Sequence, residues 1–101
     1  MISQKLLEQM IQKYGESKQL NVLKEECAEL IKAVSKYERE ENEENIKMRI
    51  KSVAEEEADL RIMLEQIDII MLKRDPDYTK RVKCEMDIKE QRIKKMLGLN
   101  E

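Results

Sequence analysis

Two acidic stretches, EECAE at residues 25–29 and EEEAD at residues 55–59, mark the two helical segments on which this chain is organised. Each lies within a run whose apolar residues recur at helical spacing. Each contains a pair of acids three residues apart, namely Glu26 with Glu29 and Glu56 with Asp59. Because residues i and i+3 lie on the same side of a helix, each pair directs two carboxylates the same way. The stretches predict two helices that together form a site for hard divalent cations.

The second acidic stretch interrupts an apolar stripe. The stripe consists of Ile46, Val53, Leu60, Met63, Ile67 and Ile70. At about 100° per residue, Glu56 falls within this stripe and Asp59 on its edge. An unpaired carboxylate on a buried face is costly unless a cation, a proton or a metal ion compensates it. Other acids lack such a setting, and we expect these on the surface: Glu38, Glu40, Glu41, Glu43, Glu44, Glu65 and Glu90.

The composition limits the fold class. The 101 residues suffice for a single domain, 1–101, with a small core. Only 3% of the residues are aromatic, and two glycines and one proline leave few breaks in regular structure. We therefore expect an all-α fold of about four helices. Such a small core also predicts self-association as a homodimer or homotetramer.

The composition also excludes several functions. The chain contains no histidine, so a metal site made of carboxylates favours Mg²⁺, or Mn²⁺ in its place, over zinc. A net charge of −2 does not suggest nucleic-acid binding. No apolar run suggests a membrane span or a signal peptide, so no membrane partner is expected. Cys27 and Cys84 lack disulfide or metal-binding spacing, which favours free thiols and a cytoplasmic location.

The pattern predicts four helical segments. A short first helix ends at Tyr14-Gly15, and four apolar residues are expected on its inward side: Leu6, Leu7, Met10 and Ile11. Ser17 is a plausible N-cap for the next helix. Asp75-Pro76-Asp77 interrupts the helical pattern before the last segment, which is rich in lysine and arginine. The segments are expected at about 3–13, 17–40, 46–73 and 78–96.

The two acidic motifs resemble the signature of the MazG-like all-α nucleoside triphosphate pyrophosphohydrolases. That family carries E-E-x-x-E on one helix and E-x-x-D on the next. Here the matching stretches are LKEECAELIKA at residues 23–33 and EEEADL at residues 55–60, preceded by the aromatic-glycine turn Tyr14-Gly15. The resemblance covers roughly residues 5–75, and the last quarter of the chain is less diagnostic.

The resemblance implies an antiparallel helical bundle in which neighbouring subunits complete the pocket. It implies that Glu26, Glu29, Glu56 and Asp59 bind Mg²⁺. It implies cleavage of a (deoxy)nucleoside triphosphate between the α and β phosphates, giving a monophosphate and pyrophosphate and clearing unwanted nucleotides. Glu25 matches the first acid of the motif; it either assists in orienting the attacking water or lies on a solvated helix face.

Contacts to the substrate are less sharply marked. Arg74 and Lys80 lie nearest the Asp75-Pro76-Asp77 break and are the first candidates for phosphate contacts, although a solvated, charge-paired basic face is the favoured interpretation for any one basic residue here. Gln9 and Gln12 are candidates for reading a base edge. The alternative function is a non-catalytic helical interaction or regulatory module, similar to a coiled-coil adaptor, because charged helices with Met and Leu seams suit that role.

Overall fold

A computed structural model describes residues 2–99. Within that range the chain forms four α-helices and no β-strand, as the composition predicts. No helix in this part of the chain is long and apolar enough to cross a membrane. The helices are α1 (Gln4–Tyr14), α2 (Glu16–Arg39), α3 (Glu43–Leu72) and α4 (Tyr78–Met96).

The chain divides into two compact units, the first ending at Ile69 and the second beginning at Ile70. The first unit holds α1, α2 and most of α3, and therefore both acidic stretches. The second unit holds the end of α3 and all of α4. The candidate site can consequently be described within the first unit alone.

Helix α1 is capped at both ends by its own sequence. The Ser3 hydroxyl accepts a hydrogen bond from the Leu6 N–H at 3.2 Å, which satisfies one of the free donors of the first turn. Gly15 ends the helix with φ 89°, a conformation that residues with a Cβ rarely adopt. Leu7 and Ile11 are buried as expected, but Leu6 is half exposed, so its predicted inward position is wrong. It lies one residue outside the stripe that α1 buries.

Helix α2 begins at Glu16, immediately after Gly15, and not after a cap at Ser17. Gly15 itself is the N-cap, and within the described part of the chain it has no side-chain capping hydrogen bond. The prediction of Ser17 as N-cap is therefore wrong. A single glycine ends α1 and starts α2, since its positive φ turns the chain within one residue.

The turn between α2 and α3 is organised by Glu40. Its carboxylate accepts hydrogen bonds from Arg49 Nε at 2.8 Å and from Asn42 N and Asn45 Nδ2, both at 3.3 Å. The Glu40 side chain is only 11% exposed, so its expected surface position is wrong. The ion pair and hydrogen bonds lower its pKa below the usual range, the Arg49 contact contributing most.

Helix α3 begins at Glu43, three residues earlier than the sequence suggested. The Asn42 side-chain oxygen accepts a hydrogen bond from the Glu44 N–H at 3.0 Å, which caps the helix. Glu43 and Glu44 lie in its first turn, where negative charge is favoured by the helix dipole. Glu43 and Glu44, which the sequence placed in the connection between the helices, therefore belong to α3. Only residues 40–42 connect α2 to α3.

The interior of the first unit contains apolar side chains and a pair of glutamines. Leu7, Ile11, Ala33 and Met63 are buried, together with the polar residues Gln19 and Gln66. Gln66 is fully buried; it accepts a hydrogen bond from Gln19 and donates one to Met10 Sδ at 3.3 Å. These contacts join α1, α2 and α3. The glutamines satisfy each other, which avoids the cost of burying an unpaired polar group.

In the second unit, α4 begins after the predicted break and ends near Gly98, whose φ is 74°. Asp75 pairs with Arg81 across the start of this helix, and that hydrogen bond holds the Asp75 pKa below its usual range. No residue of α4 is buried. Its larger apolar side chains, including Val82, Met86, Ile88 and Ile93, are all exposed.

Candidate metal site

Helix α2 presents one of the predicted acids to the interior. Gln19, Glu26 and Ala33 are spaced seven residues apart, and seven residues make almost two helical turns. Gln19 and Ala33 are buried, and Glu26 between them is partly buried. The Glu26 carboxylate therefore lies on the side of α2 that faces the rest of the first unit.

Helix α3 presents the second pair. Glu56 is partly buried, whereas Asp59, one turn further along, is exposed. Met63 and Gln66 continue the same side of the helix and are buried. This agrees with the sequence prediction that Glu56 lies in the apolar stripe and Asp59 on its edge. The two acids of the second motif therefore differ in burial, with Glu56 nearer the interior and Asp59 at the surface.

The antiparallel pairing of α2 and α3 brings the two motifs together. Gln19 Nε2 donates to Gln66 Oε1 at 2.6 Å, which sets the register of the two helices. One step of seven residues forward on α2 and backward on α3 leads to Glu26 and Asp59. Carboxylate oxygens of Glu26, Glu56 and Asp59 indeed lie within 4.8 Å of one another. The three acids form a cluster, called the acidic cluster below.

The electrostatics of the acidic cluster converge on Glu26. Burial raises the pKa of the Glu26 carboxyl, and the negative charges of Asp59, Glu56, Glu29 and Glu25 raise it further, in that order. The nearby ion pairs are made by other acids: Glu29 with Lys32, and Glu57 with Arg61. Negative charge therefore accumulates at the acidic cluster and favours a proton or a cation there.

Glu29 and Glu25 lie beside the acidic cluster and not within it. Glu29 is exposed, and its Oε1 lies 4.0 Å from Lys32 Nζ, one turn further along α2. Glu25 is also exposed. Both carboxylates are close enough for their charge to raise the Glu26 pKa. The structure thus groups three of the four acids predicted as metal ligands and places Glu29 at the rim.

The four predicted substrate-contacting residues are all exposed and lie outside the acidic cluster. Gln9 and Gln12 lie on α1, whose hydrogen bond to α3 is made by the intervening Met10. Arg74 and Lys80 belong to the second unit, and Lys80 lines a shallow depression together with Asp77, Arg81, Cys84 and Glu85. The predicted substrate contacts of these four residues remain predictions.

Sequence reasoning overlooked the buried glutamines that align the two motif helices. Gln19 and Gln66 carry no obvious chemical signal, and exposed glutamines are common. The available signal was their spacing, because Gln19 is seven residues before Glu26 and Gln66 is seven residues after Asp59. Residues spaced in this way on two antiparallel helices form successive layers of one interface.

The donor set of the acidic cluster suits a hard cation. Mg²⁺ and Ca²⁺ bind carboxylate oxygens at about 2.0–2.6 Å, so oxygens on opposite sides of an ion lie roughly 4–5 Å apart. The 4.8 Å limit within which the Glu26, Glu56 and Asp59 oxygens fall is compatible with that range. All three side chains are attached to regular helical backbone, which fixes the positions of their Cβ atoms. The residues therefore fit a magnesium-type ion.

Comparison with models of protein families, with curated proteins and with solved structures identifies no match to this chain. The candidate site is therefore defined by its geometry, its charge and the motif spacing. All three concern the same helices, α2 and α3. Cys27 and Cys84 are free thiols and are both exposed.

Proposed function

We propose that this protein is a Mg²⁺-dependent nucleoside triphosphate pyrophosphohydrolase of the MazG-like kind. The observation that carries the proposal is the acidic cluster, in which one acid of the first motif meets both acids of the second. The spacing within each motif and the order of the motifs along the chain support the same assignment. The all-helical fold and the antiparallel pairing of α2 with α3 are compatible with it.

Glu26, Glu56 and Asp59 would hold the metal, and Glu29 is placed to join them. Glu29 lies one turn from Glu26 and interacts weakly with Lys32, so a change of side-chain rotamer suffices to release it. Bound Mg²⁺ would neutralise phosphate charge and lower the pKa of a coordinated water.

The charge of the acidic cluster makes substrate binding depend on the metal ion. Without a cation, the carboxylates of Glu26, Glu56 and Asp59 repel a triphosphate, so binding of the substrate depends on prior or simultaneous binding of the metal. Glu25, exposed at the same helix turn, would orient a water or accept its proton. Hydrolysis at the α–β anhydride consumes one water and releases a nucleoside monophosphate and pyrophosphate.

The experiment is a hydrolysis screen with the common ribo- and deoxynucleoside triphosphates, in which pyrophosphate is resolved from orthophosphate. We expect pyrophosphate with Mg²⁺ and none with EDTA. Glu26→Gln, Glu56→Gln and Asp59→Asn should each lose activity by about a hundred- to a thousandfold while remaining helical. Glu55→Gln is the matched control, because Glu55 is exposed and adjacent to Glu56. Wild-type rates in the three cluster variants would exclude this site.

A non-catalytic interaction module is the second candidate, and the exposure of α4 favours it. A helix of 19 residues with no buried side chain and several exposed large apolar residues has surface available for a partner. A Mg²⁺ titration followed by thermal unfolding separates the two candidates. Millimolar Mg²⁺ stabilises a protein with a metal site by mass action, whereas an adaptor without such a site shows no specific increase.

A further inference from the structure

A depression lined by three basic side chains lies where α2 turns into α3. Lys36 and Arg39 come from the last turn of α2, Glu40 from the turn itself, and Arg49 from α3. This set is called the basic depression below, and all of it belongs to the first unit. Its volume is about 180 Å³. Sites for drug-sized ligands measure roughly 300–1,000 Å³, so the basic depression suits a small ion and not a nucleoside.

The register of α2 and α3 places two of these cations opposite each other. Gln19 pairs with Gln66. Lys36 lies seventeen residues after Gln19, and Arg49 lies seventeen residues before Gln66, so the antiparallel helices bring them level. Both side chains indeed line the same depression. Like charges that face each other repel, and an anion between them relieves the repulsion.

Glu40 supplies part of that compensation. Its Oε1 accepts a hydrogen bond from Arg49 Nε at 2.8 Å. A guanidinium carries five N–H donors, so Arg49 keeps donors for a second acceptor while this bond holds it in place. Three cations and one carboxylate leave the basic depression with a net charge of +2, in a chain whose own net charge is −2.

The two cations of α2 are not neutralised by the protein. Among residues 2–99, neither Lys36 nor Arg39 forms an ion pair. Cations in the last turn of a helix are favoured by its dipole, which accounts for each of them separately. The dipole of α2 does not account for their convergence with Arg49 from the next helix.

We propose that the basic depression binds a compact phosphate-type polyanion, such as inorganic pyrophosphate, directly and without a metal ion. Lys36 Nζ and the Arg39 guanidinium donate to its oxygens from α2, and the remaining donors of Arg49 do so from α3. Planar guanidinium groups match phosphate oxygens in bidentate fashion, and charge-assisted hydrogen bonds of this kind are the strong ones.

This site is separate from the acidic cluster and does not rest on the proposed enzymatic function. Glu56 lies seven residues after Arg49 on α3, which corresponds to about 10 Å along the helix axis. The two sites also have opposite charge, since the acidic cluster favours cations and the basic depression favours anions.

The surroundings favour a compact anion over an extended one. Glu41, Glu43 and Glu44 are exposed beside the turn and repel negative charge that extends beyond the depression. A nucleic-acid backbone carries a charge at every nucleotide and therefore needs a longer basic surface. A pyrophosphate ion concentrates its charge within the reach of three side chains.

The test is calorimetric titration of the full chain with sodium pyrophosphate in EDTA at low ionic strength. We expect one bound ion per chain, and about tenfold weaker binding for Lys36→Gln or Arg39→Gln, because each removes a charged donor. Lys51→Gln is the matched control, since it removes the same charge from an exposed lysine of α3 outside the depression. Absence of binding by wild type, or equal weakening in Lys36→Gln and Lys51→Gln, would overturn the proposal.

Removal of the one carboxylate should have the opposite effect. Glu40→Gln raises the net charge of the basic depression, so pyrophosphate should bind at least about threefold more tightly to this variant, with circular dichroism confirming that it is folded. Glu41→Gln, an exposed neighbour outside the depression, should bind like wild type. Unchanged or weaker binding by folded Glu40→Gln would refute the proposed site.

Two further titrations in EDTA identify the source of the phosphate groups. Orthophosphate should bind more weakly than pyrophosphate, because it reaches fewer of the donors. If a nucleoside triphosphate binds and Lys36→Gln weakens it as it weakens pyrophosphate, the site takes the terminal phosphates of a nucleotide. If the nucleotide does not bind, the site takes the free anion.

Discussion

Gln19 Nε2 donates a hydrogen bond of 2.6 Å to Gln66 Oε1 between α2 and α3, where both side chains are buried. This contact does more than satisfy two polar groups. It sets the register that brings Glu26 to Glu56 and Asp59, one heptad further along the same interface. A pair of neutral side chains therefore positions the charged residues of the candidate site.

Truncation of Gln66 should destabilise the fold and misalign the acidic cluster. Gln66→Ala leaves Gln19 unpaired and creates a cavity, so we expect a loss of about 2–4 kcal/mol in the free energy of unfolding. Urea denaturation followed by circular dichroism measures the change. The double variant Gln19→Leu with Gln66→Leu should recover part of this loss, because both polar groups are removed together. A Gln66→Ala protein as stable as wild type would contradict this account of the interface.

Neutralisation of Glu26 should have opposite effects on the metal-free and metal-bound protein. Burial and the neighbouring acids raise the Glu26 pKa, so the ionised form costs stability, and the contribution of this group falls as the pH rises through the folded pKa. At neutral pH without metal, Glu26→Gln should therefore have a higher Tm than wild type. Thermal unfolding in EDTA measures this increase, and Glu55→Gln in the same buffer is the control.

Magnesium should reverse that order of stability. At a Mg²⁺ concentration tenfold above Kd, the wild type gains about 1.4 kcal/mol, or roughly 5–10 °C in Tm. Glu26→Gln lacks one ligand and should gain much less. Equal Mg²⁺-dependent shifts in both proteins would argue that the ion binds elsewhere.

The Glu40 carboxylate should stabilise the turn between α2 and α3 in a pH-dependent manner. Its folded pKa is lowered below 4.5, first by Arg49 and then by the Asn45 and Asn42 hydrogen bonds. The stability it contributes is therefore present above pH 4.5 and is lost as the pH falls through the lower folded value. Wild type should unfold at higher urea concentration than Glu40→Gln at pH 7, and the difference should vanish in acid. Glu41→Gln, an exposed neighbour, should show no such convergence.

Gly15 should be intolerant of substitution. Its φ of 89° and ψ of 153° lie in a region that is accessible almost only to glycine. Among residues 2–99, no atom lies within 4 Å of the site a Cβ would occupy, so the cost of Gly15→Ala is conformational, at about 1–3 kcal/mol. Gly98→Ala is the control, because Gly98 also has positive φ and open space but follows the last helix. Equal, small losses of stability for the two variants would show that the Gly15 turn is not required.

Local chemistry made the ends of several helices predictable. Gly15 ends α1, and the Asp75-Pro76-Asp77 segment separates α3 from α4 as the sequence suggested. The start of α3 was missed, because Glu43 and Glu44 look like solvated turn residues until Asn42 is seen to cap them. The interior position of Glu40 was missed for a similar reason, since Arg49, which pairs with it, lies on the next helix.

In the candidate site, too, the features that depend on one helix were predictable from sequence, whereas the contacts between helices were not. Helical spacing alone placed Glu56 in the apolar stripe and Asp59 at its edge, since both positions depend only on the geometry of one helix. That geometry also pointed Glu29 and Glu26 the same way, but it could not show that only Glu26 meets the acids of α3.

The helical character of the chain follows from local sequence, because its apolar period, its few glycines and its single proline act within one or two turns. Local sequence also determines which acids share a side of each helix. Which acids meet, and the pairing of Gln19 with Gln66, follow only from the way α2 and α3 pack together. These features depend on the register between helices, and register is set by packing between residues far apart in the chain.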